Sequence, residues 1–405
     1  MFDWSDEERQ IADAVRRFVD ETVRPRLDAI EHGDEPPYDL LRQLYRTFGI
    51  REMALESFER ALARRREGVS TTSRSGGSDP APSLLTTIEL CRVSPGLVTS
   101  LGVSTGLAGG TINALGTPEQ MERWGRDLVT LDTVGAWAIT EPDSGSDALG
   151  GMRTTARRDG DEFVLNGQKT WITNGPYADT LVVYAKLDEP DVDPRRRRVL
   201  PFVLDRGMPG LDQSRPLRKM GQHASPTGEV FLTDVVVGRD RLLGDDRSPG
   251  GGRASAKDNF VTERAGVAAM ALGIIEEALR LSVDYARTCE RFGAPIGDYQ
   301  LVQEKLAAME VARVNVRSMV LTHVERSRAG VTPTLAEASA MKLYAARAAC
   351  EVADDAIQVF GGNGYVTEYR VEQLYRDARV LRIYAGTDEM QIGAIARDLL
   401  GRATA

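Results

Sequence analysis

Between Asp258 and Arg287, the apolar or small residues Val267, Ala271, Ile274, Ala278, Leu281 and Tyr285 recur at alternating intervals of four and three. That spacing lines one face of a long helix. Val302, Leu306, Met309, Val316 and Val320 mark a second long helix, and the Ala-rich run from Ala336 to Phe360 a third. Gly361-Gly362-Asn363-Gly364 interrupts the third, and two further helices straddle Arg376 to Ala396. Near the start, Ser5 with Glu8 forms a capping-box signature, followed by an apolar face of Ile11, Val15, Phe18 and Val19. Helical character continues to about Phe48, with a break at Pro36-Pro37, and resumes at Leu84. Thr117-Pro118-Glu119 reads as an N-cap with proline in the first turn.

The period changes near Val134. Short runs of strand character lie at Val134 to Thr140, Thr154 to Arg158, Phe163 to Leu165, Gln168 to Thr173, Leu181 to Lys186, Val199 to Asp205 and Glu229 to Val237. Asp159-Gly160 and Asn166-Gly167 stand between such runs and predict two hairpin turns. The resulting class is α+β: an N-terminal all-α domain over 1–132, an antiparallel β domain over 133–247 and a C-terminal α domain resembling a four-helix bundle over 248–405. Within the first domain, Leu62 to Ser83 is rich in Ser, Gly, Pro and Arg and reads as an exposed, mobile loop. Ser248 to Gly252 reads as a flexible junction. The chain contains no internal repeat.

Length and charge narrow the possible partners. The 405 residues call for two or three packed subdomains. A net charge of −9 argues against nucleic acid or an anionic membrane surface as the principal partner. No apolar run approaches the roughly 20 residues of a bilayer span, and the acidic opening MFDWSDEERQ lacks a signal core, so a cytoplasmic location is expected. Cys91, Cys289 and Cys350 suggest no disulfide framework, and with His32, His223 and His323 they complete no metal-binding spacing. With three histidines in all, acid–base chemistry falls to a carboxylate, Tyr or Lys.

Neither a dinucleotide-binding Gly-x-Gly-x-x-Gly after a strand nor a P-loop is present, and no Gly-x-Ser-x-Gly elbow appears. Four constellations remain: Ile139-Thr140-Glu141-Pro142-Asp143-Ser144-Gly145-Ser146-Asp147, Trp171-Ile172-Thr173-Asn174-Gly175, Phe360-Gly361-Gly362-Asn363-Gly364-Tyr365 and Tyr384-Ala385-Gly386-Thr387-Asp388-Glu389. Taken singly, each reads as a turn or a cap. Glu263, at the start of the apolar face that begins with Val267, likewise reads locally as an acid in a first helical turn.

In this order, across a helix, sheet, helix arrangement, the four constellations resemble the flavin-dependent acyl-CoA dehydrogenase family from about Asp6 to Gly401. The resemblance implies FAD, held by Thr140 and Thr173 along the ring, Trp171 against its face and Ser146 near cofactor and acyl chain. An aromatic wall suits a flat ring. It further implies that Gln358, Gly361 and Gly362 reach the cofactor of a neighbouring subunit, hence a homodimer or homotetramer. Phe292 and Gln300 match further cofactor contacts, and Thr387 with Glu389 match the adenosine end. Where the family usually places Arg three residues before Phe-Gly, this chain has Cys289. A lost charge-assisted bond of that kind is worth about 1.5 to 3 kcal/mol, and Arg287 and Arg291 stand close enough in sequence to replace it.

The reaction implied is α,β-dehydrogenation of an acyl-CoA, with an electron-transfer flavoprotein as electron acceptor. Many members carry the base where this chain has Ala385, which cannot accept a proton. Glu263 matches the alternative position used by the isovaleryl and long-chain branches, which also have a small residue at the position of Ala385. The resemblance therefore assigns the base to Glu263, a substrate-steadying role to Arg264 and a backbone N–H donor to Ala385. Two other readings stand beside it: a dehydrogenase acting on acyl groups tethered to a carrier protein, and a flavin-binding member without turnover.

Overall fold

The computed structural model describes residues 3–32, 35–68, 79–245 and 251–401. Its longer helices are α1 (Asp6–Phe18), α2 (Tyr38–Thr47), α3 (Ile50–Arg66), α4 (Ala81–Cys91), α5 (Gly251–Thr288), α6 (Gln300–Arg328), α7 (Leu335–Phe360), α8 (Val371–Arg379) and α9 (Asp388–Leu399). Between α4 and α5 lie β1 (Gly135–Ala138), β2 (Thr155–Asp159), β3 (Glu162–Thr173), β4 (Thr180–Leu187), β5 (Val199–Asp205), β6 (Leu211–Gln213) and β7 (Thr227–Gly238).

α1 starts where the capping signature places it. Ser5 Oγ accepts from the Glu8 N–H at 3.2 Å, and the Glu8 carboxylate accepts from the Ser5 N–H at 2.7 Å. Val15, Phe18 and Val19 are buried, but Ile11 points outward and Ala12 takes its place inside. The expected loop over Leu62 to Ser83 is shorter than the composition suggests. α3 continues to Arg66 with Leu62 buried, and α4 begins at Ala81; residues 69–78 lie outside the described residues.

α5 is the spine of the C-terminal bundle. Val267, Ala271, Ile274 and Ala278 are buried as the spacing predicts, and so are Ala268, Ala269, Leu272 and Ile275. A helix apolar on several sides is one surrounded by others, and α4, α6 and α7 all pack against α5. Gly273 permits the close approach of α4: a Cβ there would stand 2.3 Å from the Ile88 carbonyl oxygen. α5 also starts earlier than expected, since Gly251 and Gly252 of the predicted junction are already helical; residues 246–250 lie outside the described residues.

The sheet is mixed rather than antiparallel throughout. β4 pairs in parallel with β1 and β2 and antiparallel with β5, while β3 pairs antiparallel with β2 and β7. All eight residues of β4 are buried. Their alternation feeds two cores, Leu181, Val183 and Ala185 on one side and Val182 with Tyr184 on the other. Asp159-Gly160 closes the β2–β3 hairpin, as predicted. Asn166-Gly167 does not make a second turn: β3 runs straight through it, and the register with β7 shifts between Leu165 and Gly167. Gly167 (φ +151°) is required there, because a Cβ would lie 2.4 Å from Thr154 Oγ1.

Candidate active site

β3 leaves its ladder a second time, between Lys169 and Ile172. Trp171 sits in that irregularity with φ +57° and is 63% exposed, so the bulge re-aims a large apolar ring away from the core. The Thr170 N–H donates to the Thr140 carbonyl at 3.0 Å, which brings the first constellation beside the second. Beneath them, fully buried Lys169 donates to the Glu141 carboxylate at 2.8 Å and to the Ile139 carbonyl at 3.2 Å. Glu141 also accepts from the N–H groups of Arg153 (2.5 Å) and Thr154 (2.9 Å). Burial pushes Lys169 down to about 8, with Glu141 pulling it back up. Burial works to raise the Glu141 carboxyl, yet Lys169 and the surrounding donors leave it below its ordinary value.

The end of β3 is anchored just as firmly. Buried Asn174 donates from Nδ2 to the carbonyls of Ser100 and Gly135, both at 2.9 Å, and its Oδ1 accepts from the Tyr38 hydroxyl at 3.0 Å. Thr173, one residue earlier, pairs across the ladder with Thr227. Ser146 is exposed in the loop after β1.

Glu263 belongs to the bundle. It stands twelve residues after Gly251, the first residue of α5, so it is no first-turn acid and the local reading of a cap fails. Burial pushes its carboxyl up to about 7, while Arg264 and Lys342 act to lower it. Arg264 is buried and donates from Nη1 to Ser339 Oγ at 3.0 Å; its Nε has no hydrogen-bond partner. One turn along α7 from Ser339, fully buried Lys342 donates to the Gly386 carbonyl at 2.8 Å. Desolvation pushes Lys342 down to about 8. Buried Gln391 donates to the carbonyls of Ala385 (3.0 Å) and Gly386 (2.8 Å).

The turn so held is unusual. Ala385 has φ +52° and Gly386 φ +86°, and a left-handed non-glycine residue is uncommon. A Cβ added to Gly386 would stand 2.8 Å from Gln391 Nε2 and 3.7 Å from Arg264 Nη2. The structure thus gathers Glu263, Arg264, Ala385 and Gly386, far apart in sequence, around two residues that sequence reasoning missed, Lys342 and Gln391. Lys342 shares the apolar side of α7 with Ala338, Ala345 and Ala349. A charge within an alanine stripe was the readable signal.

The remaining predicted residues make a second, mostly exposed set, in which half-buried Thr387 directly follows the Ala385–Gly386 turn. Phe292 is wholly exposed at φ +55° between Glu290–Arg291 and Ala294–Pro295, edge-on to Tyr299 at 6.4 Å. Gln300 opens α6 and Gln358 lies near the end of α7, both exposed. Gly361 (φ +60°) and Gly362 follow α7 with open space where a Cβ would be. Tyr285 stacks on Phe360 at 4.1 Å and accepts from Asn363 Nδ2 at 2.9 Å, while the Cys289 N–H donates to the Tyr285 carbonyl at 2.8 Å. Arg291 turns its guanidinium to the Glu290 carbonyl at 2.6 Å. Thr387 serves as the N-cap of α9, its hydroxyl accepting from the Met390 N–H at 3.4 Å, and Glu389 is exposed in the first turn. No hydrogen bond or ring contact joins this second set to the Trp171 wall among the described residues.

The exposed indole of Trp171, flanked by the hydroxyl-bearing Thr140 and Thr173, fits a planar ring with hydrogen-bonding edges. The unencumbered Gly361-Gly362 backbone fits phosphate oxygens, which need N–H donors and close approach. Among the described residues no group of three or more His, Cys, Asp or Glu is arranged to hold a metal ion, and no helix is long and apolar enough to cross a membrane.

Two family models match: the acyl-CoA dehydrogenase middle domain over residues 136–235 and the acyl-CoA dehydrogenase C-terminal domain over 250–400. The chain is 32% identical over 399 residues to a 3-(aryl)acrylate reductase of Clostridium sporogenes, covering 98% of this chain and 99% of the relative. It is 32% identical over 398 residues to the mitochondrial isovaleryl-CoA dehydrogenase of Oryza sativa subsp. japonica, covering 98% and 92%. The solved butyryl-CoA dehydrogenase of Megasphaera elsdenii superposes with a TM-score of 0.83 at 30% identity, covering 99% of this chain and 100% of that one. The chain belongs to the acyl-CoA dehydrogenase family and is an oxidoreductase.

Proposed function

We propose that this chain carries out FAD-dependent α,β-dehydrogenation of an acyl thioester, with Glu263 removing the α-proton. The observation that carries this reading is the convergence of Glu263 with Arg264, Lys342 and the Ala385–Gly386 turn, in a setting that raises the carboxyl to about 7. A base that titrates near neutral pH is ionised often enough to act and basic enough to take a proton. Ala385 offers no carboxylate, but its backbone N–H survives as a donor to the thioester carbonyl.

Thr140, Ser146, Trp171 and Thr173 would hold the ring of FAD. Phe292, Gln300, Gln358, Gly361 and Gly362 would reach the cofactor of a second copy of the chain, with Thr387 and Glu389 toward the adenosine end. That division explains why the mostly exposed set stands apart from the Trp171 wall within one chain, and it makes the active form a homo-oligomer. FAD supplies acceptance of the β-hydrogen as hydride when bound. As the α-proton passes to Glu263, the double bond forms between the α and β carbons. An acyl-CoA is the proposed substrate, an electron-transfer flavoprotein the electron acceptor and the cytoplasm the location.

The name of the Clostridium sporogenes relative favours a second reading, in which the same bond is made or broken in the reductive direction. The test of both begins with purified, flavin-loaded protein under anaerobic conditions. Acyl-CoAs of different length and branching bleach the visible flavin bands under the main reading, and Glu263→Gln keeps the flavin but loses the bleaching. Unchanged bleaching in Glu263→Gln sinks the assignment of the base. Reoxidation of photoreduced protein by enoyl-CoAs, without bleaching by any saturated acyl-CoA, selects the reductive reading.

A further inference from the structure

The Gly386 carbonyl collects two donors, Lys342 Nζ and Gln391 Nε2, each at 2.8 Å. Gln391 Nε2 also reaches the Ala385 carbonyl at 3.0 Å. In a trans peptide the C=O and the following N–H point in opposite directions. Tying both carbonyls toward α7 and α9 therefore turns the N–H groups of Gly386 and Thr387 the other way. It also holds Ala385 in the left-handed region, a conformation that persists only where the surroundings over-determine it.

Lys342 is an expensive way to hold a turn. Its neighbours Ala338, Ala345, Ala346 and Ala349 are buried, and an apolar side chain would pack among them without the loss of hydration that a buried ammonium suffers. What an apolar residue lacks is the donor for the Gly386 carbonyl and the charge. Facing that charge are Glu263 and Arg264 from α5, Asp388 from α9 and Arg382 from the segment before it. Glu263 in turn is faced by Arg264 and Lys342, with the Tyr384 phenol nearby. Arg264, next to Glu263 on α5, donates to Ser339, one turn before Lys342 on α7, so the two cations meet where these helices pack.

We propose that Lys342 is a positioning residue for the reaction: its ammonium fixes the Ala385–Gly386 turn and supplies, with Arg264, the cation that Glu263 faces. This rests on Glu263 being the base. The charge favours the ionised carboxylate and opposes the effect of burial.

Three variants separate charge from scaffolding in the flavin-loaded enzyme. Lys342→Met loses both functions, Lys342→Gln keeps a donor for the Gly386 carbonyl without the charge, and Lys342→Arg keeps the charge. In Lys342→Met and Lys342→Gln the acid limb of the kcat/KM pH profile moves to higher pH by about one unit. That is roughly a tenfold loss well below the limb, recovered in alkali. Lys342→Arg returns the limb toward the wild-type position. A second readout needs no turnover: the carboxyl stretch that Glu263→Gln removes from the infrared difference spectrum titrates at higher pH in the two neutral variants. An acid limb and a carboxyl titration that stay in place in Lys342→Gln, with normal flavin content and melting temperature, overturn the proposal, whether or not Lys342→Met folds. If Glu263→Gln still turns over while the infrared band shifts in the neutral variants, the base assignment falls and the charge coupling stands.

Discussion

Removing Lys169 tests whether the Trp171 wall depends on the ion pair beneath it. At 2.8 Å, and with an effective dielectric constant of about 20, the attraction between Lys169 and Glu141 is roughly 6 kcal/mol. Desolvation of both groups opposes it, since neither reaches water appreciably. Lys169→Met leaves the Glu141 carboxylate buried with only the N–H groups of Arg153 and Thr154. Breaking one side of a buried pair in this way costs about 3 to 5 kcal/mol. The double variant Glu141→Gln/Lys169→Met removes the stranded charge, so it should recover on the order of half that loss. Because Lys169 also donates to the Ile139 carbonyl, next to Thr140, flavin affinity falls along with stability. Urea denaturation of wild type, both single variants and the double variant, with flavin fluorescence followed in parallel, measures the coupling. If the double variant is no more stable than Lys169→Met, and flavin release is unchanged, the pair has no part in holding the wall.

Glu263 gives a sign-definite pH effect on stability. Its folded-state carboxyl is raised to about 7 from an ordinary 4.5, so its contribution is complete below pH 4.5 and is lost as pH rises through 7, on the order of 3 kcal/mol. Glu263→Gln should abolish that slope in melting curves, and an identical slope in the variant refutes it. In turnover the sign reverses, because the base works as the carboxylate: kcat/KM rises through about pH 7 in a pH–rate profile. Gly167→Ala forces a methyl group against Thr154, which costs about 1 to 3 kcal/mol and lowers the melting temperature as β2 separates from β3. Thr387→Ala removes the N-cap of α9 and costs about 0.5 to 2 kcal/mol, visible as a lower denaturation midpoint.

Which parts of the molecule were legible in its sequence follows from how local their causes are. The Ser5 and Thr117 caps and the Asp159-Gly160 hairpin depend on neighbours within a few residues, and they form where expected. Asn166-Gly167 carries the same local preference as a hairpin, but pairing with β7 on both sides converts it into a bulge. The Gly-rich approach to Gly251 resembles a linker, which concealed the true start of α5 and made Glu263 look like a first-turn acid. That start of α5 packs on β5 instead, where a Cβ on Gly252 would stand 2.2 Å from the Val199 carbonyl oxygen. Lys169 and Lys342 escaped notice because a lysine is normally a surface residue. Their partners Glu141 and Gly386 lie 28 and 44 residues away, too far for any local rule to connect.

The placement of Glu263 in the interior of α5, rather than on a turn, bears on how the site moves. Its backbone belongs to a 38-residue helix; Arg264 ties that helix to α7, Lys342 ties α7 to the Ala385–Gly386 turn, and Gln391 ties the same turn to α9. Three helices and a turn are thus joined into one hydrogen-bonded body around a carboxylate carried on helical backbone. Breathing that admits and releases an acyl chain then falls to the boundary between this body and the sheet, so amide exchange should be slowest along α5 and α7 and faster at the bulge around Trp171.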